Sequence, residues 1–143
     1  MKPNLMKALL GGFAGTVAMT MMMQFVAPFM LGQPMDVAHL LAEFLGTPWV
    51  LGMLIHFALG SLVFPVAYVF VLFTYLPGPP TLKGVLWGIL LWVPAMAVTM
   101  PMLGQGFFMS QTLGLRGVMA AFMAHLIYGG VFGAITGMAP SNR

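Results

Sequence analysis

The chain has 143 residues, of which five are Lys or Arg and two are Asp or Glu, so 5% of it is charged. A soluble globular domain carries about 25%, and a chain with 61% hydrophobic residues and a mean hydropathy of +1.02 cannot cover its own surface with polar groups. Water-soluble and disordered classes are excluded, the absence of cysteine removes disulfides, iron–sulfur clusters, thiolate zinc sites and covalent haem attachment, and the scattered cations form no basic patch for nucleic acid.

The charges at Lys2, Lys7, Asp36, Glu43, Lys83, Arg116 and Arg143 leave uncharged stretches 8–35, 44–82, 84–115 and 117–142. Each exceeds the roughly 20 residues that a helix needs to cross a hydrocarbon core. None shows the alternation of a barrel strand, so helices are expected. The predicted spans are 7–31, 49–76, 83–103 and 114–138. The apolar run of the first span is too long for a signal peptide, and no small-residue cleavage site follows it, so it is read as a retained span. Residues Met35 to Gly46 read as a short amphipathic helix in the interface plane, with Asp36 as N-cap and Gly46 as stop. Thr47-Pro48 reads as the start signal of the second span, and Pro77-Gly78-Pro79-Pro80 as its end. Pro65 and Pro94 fall inside spans and are expected to kink them, while Trp49, Trp87, Trp92 and Tyr75 are expected to anchor span ends at the interface.

Lys2, Lys7, Lys83 and Arg143 fall on one side of this topology and Arg116 on the other, so both termini are expected in the cytoplasm, with the chain in the inner membrane.

Two-span units repeat. Gly11-x-x-x-Gly15 recurs as Gly84-x-x-x-Gly88, and Pro28-Phe-Met-Leu-Gly32-Gln33 recurs as Pro101-Met-Leu-Gly104-Gln105, at offsets of 72–73. His56-Phe-Ala-Leu-Gly60 recurs as His125-Leu-Ile-Tyr-Gly129, at an offset of 69. Such a duplication inserts both units in the same direction. The expected fold is therefore an all-α integral membrane four-helix bundle with the second and fourth spans at diagonal corners.

His56 and His125 are the sharpest chemical signal, because an ionisable residue within a span usually faces the bundle interior or a cavity. Each sits in a stripe of small residues at four-residue spacing, Gly52 and Gly60 around His56, Gly117, Ala121, Gly129 and Gly133 around His125. Such stripes either bring helices together or leave flat space for a planar ligand. The second option makes His56 and His125 axial ligands of a b-type haem, across a diagonal of roughly 11–14 Å for neighbours about 8–10 Å apart. Gln24, Thr20 and Thr99 lie near the same depth and could orient the imidazoles. The competing readings are histidines hydrogen-bonded in the core, and a metal ion or quinone as ligand.

The chain has 16 methionines. Met19, Met21, Met22 and Met23, then Met96, Met100 and Met102, then Met119 and Met123 could supply thioethers to Cu(I), but diffuse spacing favours packing. Asp36, His39 and Glu43 share a face of the short helix, a spacing open to a metal and equally to a solvated ion pair. No nucleophile–base set, phosphate loop or carboxylate pair is present, so the chain is not expected to be an enzyme by itself.

Gly11-Gly-Phe-Ala-Gly15, Met35-Asp36-Val, His56 with Gly60, Leu76-Pro77-Gly78-Pro79, Met100-Pro101 with Gly104, and His125-Leu-Ile-Tyr128-Gly129 together resemble a family of small four-span bacterial membrane proteins of unknown function. The resemblance covers nearly the whole chain. It implies the four-helix fold and a bacterial membrane, and no activity. Two functional classes remain: a small redox protein passing electrons through one haem to a membrane partner or the quinone pool, and a non-catalytic accessory subunit docking, or self-associating, through its Gly/Ala stripes. A transporter is less suited, because no span is interrupted around a charged midplane site.

Overall fold

Among the described residues, proline and glycine punctuate the apolar chain into five helical segments, with one 3-10 turn at Phe107–Met109. The computed structural model describes residues 3–137, and every regular element among them is helical. The helices are α1 (Leu5–Leu31), α2 (Val37–Leu45), α3 (Trp49–Leu72), α4 (Pro80–Met102) and α5 (Gly114–Thr136). All but α2 are long and apolar enough to cross a membrane. The four expected spans are present. Lys2, Arg143 and position 138, the expected end of the fourth span, lie outside the described residues.

Helix ends follow local chemistry. Asp36 Oδ1 accepts from the His39 N–H at 2.9 Å, and Gly46 closes α2 in the left-handed conformation at φ 63°, so both ends of the short helix are as expected. Thr47 does not cap α3. Pro48 is the N-cap, its carbonyl taking the Leu51 N–H at 2.9 Å, while the buried Thr47 hydroxyl has no partner. α3 stops at Leu72, short of the expected 76, where Lys83 Nζ donates to the Phe73 carbonyl at 2.8 Å and lies 4.0 Å from the Phe73 ring centre.

Prolines follow three of the four π turns inside the spans, the exception being Tyr68–Leu72 at the end of α3. A proline lacks the N–H that the helical ladder needs and crowds the preceding turn. Ahead of Pro28, Pro65 and Pro101 the helix widens into a π turn, at Met22–Val26, Leu59–Val63 and Ala95–Thr99. In each, the residue just before the proline donates five positions back: Ala27 to Met22, Phe64 to Leu59 and Met100 to Ala95. The first and third of these turns lie 73 positions apart, the offset of the sequence repeat. α5 has no internal proline and is uninterrupted.

The order of packing is α3, α1, α5, α4, with α2 laid against the start of α3. Glycine makes the closest approach possible. A Cβ on Gly84 or Gly129 would collide with the backbone of the other's helix, so α4 and α5 meet main chain to main chain. The two-span units thus close on one side, where α1 meets α5. On the other side, α3 and α4 meet through aromatic rings near the Pro77–Pro80 turn, where Trp87 lies 6.4 Å from Phe64 and 6.2 Å from Tyr68. Trp87 is therefore core rather than an interfacial anchor, and Trp92 packs on Phe108 and Phe122. Trp49 and Tyr75 are exposed, as expected of anchors.

Candidate functional site

Away from those aromatics the seam between α3 and α4 parts around a cavity of about 250 Å³. His56 of α3 and His125 of α5 both line it, so the residues singled out by the repeat converge on one space. Phe64 and Tyr128 line it towards the aromatic cluster, and Val37 and Leu41 of α2 line it at the opposite end. Pro94, on the α4 wall, is exposed, which opens the seam to the surroundings of the bundle.

Hydrogen bonds fix the two rings. His125 Nδ1 lies 2.7 Å from the Ala121 carbonyl. A carbonyl only accepts, so Nδ1 carries the proton and Nε2 keeps its lone pair. His56 Nε2 lies 3.1 Å from Thr20 Oγ1, and that hydroxyl donates its one proton to the Thr16 carbonyl at 2.6 Å. His56 Nε2 must therefore donate to Thr20, and its lone pair is on Nδ1. The histidines are hydrogen-bonded to α1 and within α5, not to each other.

The remaining site candidates divide. Gly60 and Thr99 line the cavity. Gly52 does not, because its missing side chain admits the Ala38 carbonyl of α2, and Gly129 faces Gly84. The small-residue stripes serve helix contact, and the flat space envisaged beside the imidazoles is not found at those two positions. Gln24 lies off the cavity, in a smaller recess on the other side of His56 with Thr20 and Asp36. His39 Nε2 and Glu43 Oε1 form an exposed pair at 3.1 Å, while both Asp36 oxygens are taken, by the His39 N–H and the Trp49 indole N–H.

A b-type haem would demand more. The cavity is below the range of about 300–1,000 Å³ usual for small-molecule sites, and His56 Nε2 is engaged by Thr20. A porphyrin here requires the cavity to widen, with His56 ligating through Nδ1 or giving up its bond to Thr20. Among the described residues no group of three His, Cys, Asp or Glu side chains gathers, so a zinc or hard-cation site is not formed.

The sequence offered Met19, Met23, Met96 and Met100 as thioether donors but favoured packing for them, and it did not single out Met35. Met19, Met23, Met35, Met96 and Met100 all line the cavity, five of the seven methionines buried among the described residues. The signal was available, since Met23 and Met96 are separated by the repeat offset of 73.

Four apolar helices around a cavity are compatible with a multi-pass membrane protein, and that is the class the fold defines. A family model for DUF6789, a family of unknown function, matches residues 3–143, and the chain belongs to that family. No curated protein and no solved structure matches it.

Proposed function

We propose that this chain is a multi-pass inner-membrane protein that binds a small ligand in the cavity between α3 and α5, with His56 and His125 as its polar contacts. The observation that carries the reading is that two repeat-related imidazoles line one mostly apolar space while their ring orientations are fixed by hydrogen bonds. A histidine that served packing alone would gain nothing from a free lone pair beside a void. Orientation of an imidazole by an N–H to carbonyl bond is also the arrangement that ligating histidines use, which supports a metal-bearing occupant. A role in electron transfer, with a membrane partner or quinone, follows if that occupant is redox-active, and the haem reading carries the rearrangement described above. In the alternative, an accessory subunit, the cavity stays empty and the Gly seams alone do the work. Lys7 and Lys83 begin α1 and α4 at one end of the bundle and Arg116 lies at the other, which supports a cytoplasmic N-terminus.

The test is occupancy. Ala121 is buried and lines the cavity, so Ala121→Leu pushes a branched side chain into it and narrows it. Protein transferred from its membrane into lipid nanodiscs is expected to carry a bound species, seen by native mass spectrometry, metal analysis or absorption oxidised against reduced, and Ala121→Leu is expected to lose it. An empty wild-type protein would favour the accessory subunit.

A further inference from the structure

The cavity wall has an unusual chemistry for a span interior. Its softest donors are thioethers and imidazoles, beside the hydroxyls of Thr16, Thr99 and Tyr128, and no Asp, Glu, Lys or Arg lines it. Two pairs among them are repeat-related: Met23 with Met96, and His56 with His125. Each pair contributes one residue from each two-span unit. Met23 and Met96 are 4% and 1% exposed, whereas Met21 and Met102, close by in sequence, are 56% and 58% exposed. The thioethers thus divide between an inward set that lines the same cavity as the histidines and an outward set.

Elementary coordination chemistry narrows what such a set holds. Thioethers are soft donors and select Cu(I), and imidazole joins them readily. A neutral donor set also discriminates by charge, because the cost of taking an ion out of water rises steeply with charge and no carboxylate is present to offset a second positive charge. Divalent zinc or calcium is disfavoured on both counts. His125 offers Nε2 and His56 offers Nδ1, the lone pairs left by their bonds to Ala121 and Thr20. The flexible thioether side chains can close on an ion smaller than the space they line.

From this we infer that the cavity is a Cu(I) site whose donors are Met23, Met96, His56 and His125. The inference rests on the proposal that the cavity is a ligand site, and names the ligand's class.

The experiment uses the full chain in detergent, loaded anaerobically with Cu(I) alone and titrated with a chromophoric Cu(I) chelator. One copper per chain is expected, with both sulfur and nitrogen scatterers in its X-ray absorption spectrum. The double variant Met23→Leu/Met96→Leu preserves volume and apolarity and is expected to lose at least 100-fold in affinity, while Met21→Leu/Met102→Leu on the outward face binds as wild type. Should the inward double variant fail to fold, Met96→Leu alone is expected to lose at least tenfold. Equal copper binding by wild type and the inward variants, or equal loss in the outward control, overturns the inference. If copper fails to bind while Ala121→Leu still expels a co-purified molecule, the copper assignment falls and the ligand site stands. If copper fails to bind and no species is expelled, both fall.

Discussion

The Tyr128 hydroxyl donates to the Gly60 carbonyl at 2.8 Å, joining the two diagonal spans across 68 residues of sequence. Pro65 explains why that carbonyl is free. In the π register of Leu59–Val63 the Gly60 carbonyl should receive the N–H five positions on, and position 65 has none. Span 1 solves the same problem differently: Pro28 would leave the Met23 carbonyl unmet, and the Met35 N–H takes it at 3.1 Å. Tyr128→Phe removes the donor and leaves a buried carbonyl unpaired, at a cost of about 1–3 kcal/mol. Pro65→Ala returns an N–H, so the double variant is expected to lose less than the sum of the two single losses. Reversible unfolding in mixed micelles, run as a double-mutant cycle, checks this, and strict additivity would show that the proline and the tyrosine are uncoupled.

Glycine positions separate by what faces them. A Cβ on Gly84 would meet the Gly129 carbonyl and the Gly133 backbone, whereas a Cβ on Gly130 meets nothing within 4 Å. Gly84→Ala must push α4 off α5 and is expected to destabilise by about 1–3 kcal/mol, in line with other overpacked sites. Gly130→Ala is expected to be neutral or to stabilise by up to about 1 kcal/mol through helix propensity. Melting temperatures of the two variants side by side decide it, and a similar loss at both positions would mean that the α4–α5 seam is not set by backbone contact.

The architecture was legible because charge is so sparse. Gaps between Lys7, Asp36, Lys83 and Arg116 delimit spans without reference to packing, and Asp36 and Gly46 mark a short helix by side-chain chemistry and backbone freedom alone. The convergence of His56 and His125 was legible through the repeat. What Gly52 and Gly129 do was not, since a stripe of small residues permits contact or space and the partner decides: Ala38 in one case, Gly84 in the other. The π turns were equally hidden, and the repeat offset between Met23 and Met96 was the one sign that methionines gather. Hydropathy does not distinguish a methionine facing a cavity from one facing lipid, and Met19 and Met21 are two residues apart yet 9% and 56% exposed.

Thr20 orients His56. Its hydroxyl accepts from Nε2 while donating to the Thr16 carbonyl. Thr20→Val keeps shape but removes the acceptor, leaving the His56 ring free to turn and to change tautomer. The stability cost is expected to be small, about 0.6 kcal/mol, as for other hydrogen bonds between membrane helices. The larger change is in the ring itself: nitrogen-15 chemical shifts of His56 are expected to move from the Nε2–H pattern to a mixture, with those of His125 unaltered. An unchanged His56 pattern in Thr20→Val would mean that another group holds the proton.

Asp36 ties α2 to α3. One carboxylate oxygen caps α2 at the His39 N–H and the other takes the Trp49 indole N–H, both at 2.9 Å, and the Gly52–Ala38 approach lies just beyond. Val37 and Leu41 on this helix wall one end of the cavity, so the carboxylate indirectly keeps that end shut. Asp36→Ala loses cap and indole bond together and is expected to cost about 1–2 kcal/mol. The loss should be local: hydrogen exchange is expected to accelerate over 37–45 while the main body of α5 keeps its protection, because α2 packs chiefly on α3 and not on the α4–α5 seam. Asp36→Asn can keep the cap through its carbonyl oxygen, and so separates the two functions of the carboxylate. Trp49→Phe breaks the indole bond from the other side, and its effect should vanish in the Asp36→Ala background. Exchange that quickens throughout the bundle in Asp36→Ala would instead make α2 part of the core's cooperative unit, and the cavity end would then open only with the whole fold.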